Sequence, residues 1–382
     1  MAELINYKCK CILTTEEIKL LKKNIHCIHF FCSKNKIMTN NNCNNNNCYC
    51  YERTFRKQPN NIETDIFFNI DKTIKNFKKY NKKKILTHDD FLKLKLKYPT
   101  TYCPRQNKPY TTIHLGQLKL FLSTMQFLLY YCPKDITYVI YPGSAHGYNI
   151  NFLSELFPQV IWILIDPGKF YKELYKNKKI KIINKLFTDN ILNAIKKNVK
   201  NKNVLLISDI RLNTDDESII RDNELQKKWI TELKPLYSQV KFRVPHFNIN
   251  NNNNSNYKYL NGKIYFQMYP NITTTETRLV IDGKNIKEQN YNIAEYEGIM
   301  CYFNRYIRSS YYNHNINNKY VDHCYDCSML IKLLNDYKKK YKNNNFAKKS
   351  ITNMINEIYN KIPGIKKRYQ KYNLEIKKNL KF

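Results

Sequence analysis

The spacing of apolar and polar positions divides the chain into an alternating series of helices and strands. Over residues 115–129 apolar side chains recur every three or four positions, which predicts an amphipathic helix with Lys119 near its start. Apolar runs at 139–141 and 161–165 are too short for helices and read as buried strands. Between them lie a small-residue turn, Pro142-Gly143-Ser144-Ala145-His146-Gly147, and a helix over 148–156. Further strands are predicted at 180–187, 204–211 and 238–244, separated by helices at 189–197 and 217–236, the second broken at Pro235. Residues 263–268 and 277–281 read as closing strands, and 291–382 as helical with Asn and Lys turns. Strand and helix in alternation predict an α/β fold, a doubly wound, mostly parallel, Rossmann-like sheet. Such sheets take ligands beyond the carboxyl ends of their strands.

The flanks differ from this series. The pattern divides the chain into an Asn- and Cys-rich extension over 1–90, expected to be partly disordered, the sheet over 91–310, and a basic helical segment over 311–382. Cys9, Cys11, Cys27, Cys32, Cys43, Cys48 and Cys50 crowd the extension around an Asn tract at 40–47. Their spacings are CxC and CxxxxC rather than the paired knuckles of a tetrahedral site, so reduced thiols are expected. The same reading is given to Cys324-x-x-Cys327 behind His323, and no metal ligand is assigned. A helix is predicted at 89–96, followed by a Pro-containing loop with Tyr98, Tyr102 and Tyr110. A second Asn tract, 248–256, reads as an expanded surface loop.

Charge changes the picture most. Lys and Arg number 65 against 31 Asp and Glu, a net charge of +34, with 32 Tyr and 19 Phe among the cations. Cations neutralise phosphates and aromatic faces stack on bases, so single-stranded nucleic acid is the expected partner. Codon bias explains much Asn, Ile and Lys, but does not require so few acids. From residue 328 onward 15 Lys and Arg stand against 3 Asp and Glu, a face that is either solvated or tracks a phosphate backbone. No run approaches the roughly 18 apolar residues of a membrane span, and no basic stretch leads into an apolar block at the start. A soluble, intracellular protein is expected.

The glycine turn at 143–147 and the acid Asp166 ending the next strand form the start of a βαβ unit. Glycines admit a ligand close to the backbone, and the acid accepts hydrogen bonds from ribose hydroxyls. The turn is not a full GxGxxG, so a dinucleotide, a nucleoside or S-adenosyl-L-methionine all remain open. Four charged residues then fall at strand ends or on core-facing elements: Lys119, Asp209, Lys241 and Glu276. Two amines and two acids around one pocket suit alkylation of a ribose hydroxyl, a poor nucleophile that needs a base to take its proton. A lysine serves as that base only when a second ammonium and partial burial draw it toward neutrality, and flanking acids oppose this.

Six ordered motifs carry a resemblance: Gly116-Gln117-Leu118-Lys119-Leu120, Tyr141-x-Gly143-Ser144-Ala145-x-Gly147, Leu164-Ile165-Asp166, Leu206-Ile207-Ser208-Asp209-Ile210-Arg211, Lys241-x-Arg243-x-Pro245 and Glu276-x-Arg278-Leu279. Over about residues 95–310 the chain resembles the poxvirus cap-specific mRNA (nucleoside-2′-O-)-methyltransferases, which double as regulatory subunits of the viral poly(A) polymerase. The resemblance implies a class I methyltransferase sheet and a catalytic tetrad of Lys119, Asp209, Lys241 and Glu276, with Lys241 the base. It implies S-adenosyl-L-methionine held by Gln117, Tyr141, Gly143, Gly147, Asp166 and the position of Gly168, with adenine near Phe187 and Thr188. Arg211, Arg243 and Arg278 would contact RNA, and Glu297 would read the edge of a methylated guanine cap. Tyr98 or Tyr102 would supply one stacking ring. The implied partners are capped mRNA and a viral poly(A) polymerase catalytic subunit, with no membrane, in the host cytoplasm at viral factories or packaged in the virion.

Several positions depart from the family pattern. His146 stands where the family has Pro, and Gly168 where an arginine helps hold the cofactor. His246 falls at the second stacking aromatic and Asn248 at the second acid, so cap recognition is altered more than catalysis. Two other functions share parts of the pattern. A non-catalytic processivity subunit needs the basic surface but not the tetrad. An rRNA ribose methyltransferase needs the tetrad but not Glu297 and its rings.

Overall fold

The computed structural model describes residues 85–92, 114–246 apart from 212 and 214, 256–308 apart from 272 and 273, and 312–371. Residues 1–84 of the cysteine-rich extension, Tyr98, Tyr102, Tyr110, Asn248 and most of the second Asn tract lie outside those residues. The strands are β1 (Thr137–Pro142), β2 (Val160–Ile165), β3 (Ile180–Ile183), β4 (Asn203–Ser208), β5 (Tyr237–Phe242), β6 (Asn256–Leu260), β7 (Lys263–Tyr265), β8 (Thr277–Asp282) and β9 (Glu288–Asn292). The helices are α1 (His88–Leu92), α2 (Gly116–Tyr131), α3 (Ile150–Leu156), α4 (Asp189–Asn198), α5 (Asp216–Leu233), α6 (Ile293–Tyr302), α7 (Tyr325–Lys340), α8 (Asn345–Lys348) and α9 (Ile351–Lys361).

Seven strands form one sheet in the order β3-β2-β1-β4-β5-β8-β7. β1 to β5 run parallel, and β8 lies antiparallel between β5 and β7. The chain leaves β1 toward β2 on one side and returns to β4 on the other, so the strand order reverses at β1. Val139, Ile140, Leu164, Leu205 and Leu206 are buried, as strands covered on both faces require. Phe121 of α2 stacks on Phe152 of α3 at 5.3 Å, and the Tyr337 hydroxyl of α7 donates to the Leu156 carbonyl, joining three helices in one layer. α4 and α5 pack on each other, with Phe187 against Trp229 at 4.8 Å. The doubly wound architecture expected from the alternation forms.

Tertiary packing moves several boundaries. β3 stops at Ile183 because Asn184 turns its amide back onto the Asp166 and Gly168 carbonyls. α5 ends at Leu233 on a left-handed Lys234, ahead of Pro235. The amphipathic expectation for α2 fails beyond its first turn: every residue from Phe121 to Leu129 is buried. Its polar positions are satisfied locally or by the sheet. Ser123 Oγ donates to the Lys119 carbonyl, and Gln239 of β5 donates to the Ser123 carbonyl. β6 and β9 pair as a separate antiparallel ribbon that the pattern did not reveal. Their sequences, NYKYL and EQNYN, are largely polar, and only Tyr259, Leu260 and Tyr291 turn inward.

One apolar core runs from Ile85 to Tyr369, across the divisions drawn at residues 90 and 310. Residues 312–324 have no helix or strand, yet Tyr312, Tyr320 and Val321 are buried. Arg308 binds Asp326 of α7 through Nη2 at 2.7 Å and also reaches the Pro270 carbonyl and Asn304. This fully buried pair fastens the C-terminal helices to the loop before β8.

Candidate active site

The carboxyl ends of β1, β2 and β4 meet at the point where the strand order reverses, and the glycine turn is built to let them meet. Gly143 donates to the Ile165 carbonyl at 2.9 Å, and Asp209 donates its N–H to the Pro142 carbonyl at 3.2 Å. At Gly143, with φ of 76°, a Cβ would lie 2.7 Å from the Ile210 nitrogen and 2.8 Å from the Asp209 carbonyl carbon, so glycine is required on both counts. Asp166 accepts from the Ala145 N–H at 3.2 Å and the Gly168 N–H at 2.7 Å, which fixes its carboxylate at the cleft. Gly168 approaches that carboxylate so closely that a Cβ would meet Asp166 Oδ1 at 2.9 Å.

Gln117 lies in the first turn of α2, and Asn149 donates to its carbonyl at 3.0 Å. Asn149 Oδ1 is buried without a hydrogen-bond partner among the described residues, an unusual state for an amide oxygen. Asn149 carried no signal in the sequence. Tyr141 is buried, and burial with Asp209 nearby pushes its phenol up, so it stays neutral. Thr188 is exposed and is the residue that caps the start of α4.

Lys119, Asp209, Lys241 and Glu276 come together from four elements. Lys119 rises from α2, Asp209 follows β4, Lys241 sits on β5 and Glu276 precedes β8. Lys119 Nζ lies 2.7 Å from Glu276 Oε1, while Lys241 Nζ lies 3.5 Å from Asp209 Oδ1 and 3.4 Å from Glu276 Oε2. One amine is therefore locked and the other is shared loosely between two acids. All four side chains are between 13% and 18% exposed, so they line a recess rather than open surface. Gln267 donates to both the backbone and the side chain of Glu276, a support that sequence gave no hint of.

Arg278 belongs to the same cluster. It faces Lys241 in the β5–β8 register and holds Nη2 2.8 Å from Asp209 Oδ1 and 3.7 Å from Glu276 Oε1. At 3% exposure it addresses the carboxylates, not the solvent. Burial alone would push Asp209 and Glu276 up. For Asp209, Arg278 and Lys241 outweigh it; for Glu276, Lys119, Lys241 and Arg278 do, and both acids sit below the ordinary carboxylate range.

A second polar group adjoins this cluster. Asp216, in the first turn of α5, takes Arg243 Nη2 at 2.7 Å and the His246 N–H at 3.0 Å. His246 Nδ1 lies 2.6 Å from Glu297 Oε1 on α6, and Glu297 is buried. Asp216 carried no signal in the sequence, whose pattern begins that helix at residue 217. Arg211 Nη1 lies 3.6 Å from the buried Asp222. Tyr98 lies outside the described residues.

The fold and this site define a doubly wound α/β protein with a glycine turn at its switch point and a lysine–carboxylate cluster beside it. The chain belongs to the poly(A) polymerase regulatory subunit family, whose sequence profile matches residues 79–362. That match extends past both ends of the 95–310 segment on which the resemblance was read. The chain is 34% identical over 143 residues to the cap-specific mRNA (nucleoside-2′-O-)-methyltransferase of Fowlpox virus, covering 34% of this chain and 46% of that protein. It is 29% identical over 145 residues to the enzyme of the same description from Myxoma virus, covering 35% and 43%. These matches thus span less than half the length of either relative. Bluetongue virus VP4, a multifunctional RNA-capping protein, aligns over 53% of this chain and 33% of its own, with 12% identity and a TM-score of 0.40.

Proposed function

We propose that this protein methylates the ribose 2′-hydroxyl of the first transcribed nucleotide of capped mRNA, with S-adenosyl-L-methionine as donor. The observation that carries the reading is the Lys119–Asp209–Lys241–Glu276 cluster at the mouth of a switch-point cleft, in a chain of this family. S-adenosyl-L-methionine supplies a methyl group on a sulfonium, whose C–S bond breaks as the ribose oxygen forms its C–O bond. The cleft residues suit that donor. Asp166, fixed by two backbone amides, accepts ribose hydroxyls. Gln117 and the unpartnered Asn149 oxygen hold the amino-acid end. Tyr141 and Thr188 border the pocket, and Gly143, Gly147 and Gly168 keep its walls close to the backbone.

Lys241, as the neutral amine, takes the proton of the 2′-hydroxyl and becomes an ammonium that Asp209 and Glu276 stabilise. Its contacts at 3.4–3.5 Å leave the amine room to turn toward a substrate oxygen, while the tighter Lys119–Glu276 pair keeps the acid oriented. Arg278 holds the two acids ionised from beneath. Arg211 and Arg243 contact RNA at the rim. Glu297 pairs with the cationic guanine of the cap, which stacks on His246 and on Tyr98 or Tyr102.

The family description favours a second role in the same chain, as an RNA-holding regulatory subunit bound to a viral poly(A) polymerase catalytic subunit. The test is transfer of labelled methyl from S-adenosyl-L-methionine to short capped RNA, against uncapped RNA of the same sequence. Transfer to the first 2′-oxygen of capped RNA alone is expected. Tight RNA binding with no transfer to either would leave the regulatory role and remove the enzymatic one.

A further inference from the structure

Away from the cleft, where the chain leads into α7, a buried group of polar atoms has no part in the chemistry above. Asp322, Cys324 and Cys327 bring one carboxylate oxygen and two sulfurs within 4.8 Å of one another, and all three residues are buried. Cys324 is the residue that caps α7 and Cys327 lies in the helix's first turn, so the helix start fixes both thiols together. Asp322 Oδ1 accepts the Cys324 N–H at 2.8 Å, which turns the acid toward the same spot.

We propose that Asp322, Cys324 and Cys327 bind a single zinc ion as a structural centre. Two sulfurs and one carboxylate are a donor set for a borderline-soft ion, not for magnesium or calcium. Tetrahedral zinc sets its ligand atoms about 3.7 Å apart, so a closure of about 1 Å at most brings the three into range. The positive end of the sixteen-residue α7 offsets the surplus negative charge of such a set. The Tyr269 hydroxyl, 3.4 Å from Cys327 Sγ, or a water completes the fourth position. With Cys324 and Cys327 4% and 0% exposed, neither sulfur is presented to an outside thiol partner.

The surroundings call for such a fastening. Residues 312–324 run through the core with no helix or strand to brace them. They are held by hydrogen bonds from loop to loop and to the last helices: Tyr312 N–H donates to the His323 carbonyl and the His323 ring faces the Tyr312 carbonyl, the His314 ring, stacked on His323 at 4.4 Å, meets the Asp322 carbonyl, and Asn318 donates to the Thr352 carbonyl. A metal at this point would lock the segment to α7. It would also brace Tyr269, a non-glycine residue held at φ of 55° whose carbonyl accepts the Leu115 N–H at the start of α2. The centre would thus steady the helix that carries Lys119, without touching substrate.

The test uses the full-length, reduced protein loaded with one equivalent of zinc. Alkylation by iodoacetamide is followed at each cysteine by peptide mass spectrometry, with and without a strong chelator. Burial alone protects a thiol whether or not chelator is present, whereas a metal's protection disappears with it. Chelator is expected to speed alkylation of Cys324 and Cys327 by about tenfold or more while Cys132 and Cys301, also buried, keep their rates. Equal rates at Cys324 and Cys327 in both conditions overturn the proposal. Equal acceleration at all four also counts against it, because a local centre releases its own ligands first. In parallel, Cys327→Ser should hold one zinc fewer per chain than the parent protein, and an unchanged zinc content overturns the assignment.

Discussion

Lys119 and Lys241 share a side chain and a pocket but are held differently, and the roles proposed for them follow from that difference. Lys119 is locked at 2.7 Å on Glu276, whereas Lys241 is spread between two acids at longer range. Lys241→Ala should lower methyl transfer to capped RNA by about 10²-fold or more while RNA affinity stays nearly constant. Unaltered transfer in that variant would remove Lys241 as the base. Glu297→Gln keeps the shape of the acid and most of its contact with His246, yet removes the charge that would face a cationic guanine. Discrimination between capped and uncapped RNA should shrink, read as the ratio of their binding constants. Asp209, Lys241 and Glu276 stood out in the chain because they fall on or beside strands with clear apolar runs, and Lys119 because it lies near the start of a periodic helix. Gln267, Asn149 and Asp216 did not, since a supporting amide or acid in a loop follows no period and only a folded neighbour reveals its task.

The elements divide the same way. Buried parallel strands announce themselves through unbroken apolar runs, and β1, β2 and β4 fell within a few residues of their predicted spans. The β6–β9 ribbon did not, because its alternation is carried by Tyr among Asn, Lys and Gln, residues that read equally well as loop. Nor did the helical periodicity of the tail reveal how it attaches. Beside the shared apolar core and the Tyr337 bond to Leu156, that attachment includes the pair Arg308 and Asp326, both buried. Burial pushes Asp326 up against the pull of Arg308, so the pair survives only because both partners are present. Asp326→Asn leaves a guanidinium unpaired in the core and should cost about 3–5 kcal/mol of unfolding free energy. Urea denaturation followed by circular dichroism would measure it, and a loss below about 1 kcal/mol would mean the joint is held by packing instead.

At the scale of the whole molecule, acid should unfold this protein earlier than its carboxylates alone require. Burial holds His88 down to about 4, and burial with Lys119 nearby holds His114 down to about 4, from an ordinary 6.5. The unfolded chain therefore binds protons first as pH falls from 6.5 toward 4, and stability declines through that window. Asp209 and Glu276, depressed in the folded state from 3.8 and 4.5, act in the same direction: their contribution is whole above those values and is lost as pH falls through the folded ones. Denaturation midpoints measured at about pH 7, 6 and 5 should fall steadily; a flat profile would mean the two rings are solvated. The net charge of +34 adds self-repulsion at every one of these pH values, which salt relieves.

The Tyr269 carbonyl, accepting from Leu115 at the head of α2, and the unbroken core from Ile85 to Tyr369 bear on how this chain can be shortened. A gene trimmed after the last strand would keep Lys119, Asp209, Lys241 and Glu276 on paper and yet lose the helices packed behind the one that carries Lys119. The C-terminal helices are a buttress of the lysine–carboxylate cluster, so under the proposed function mutational decay there should register as lost methyl transfer before it registers as lost RNA affinity. A lineage that discarded the chemistry and kept only RNA holding would be expected to erode that buttress first.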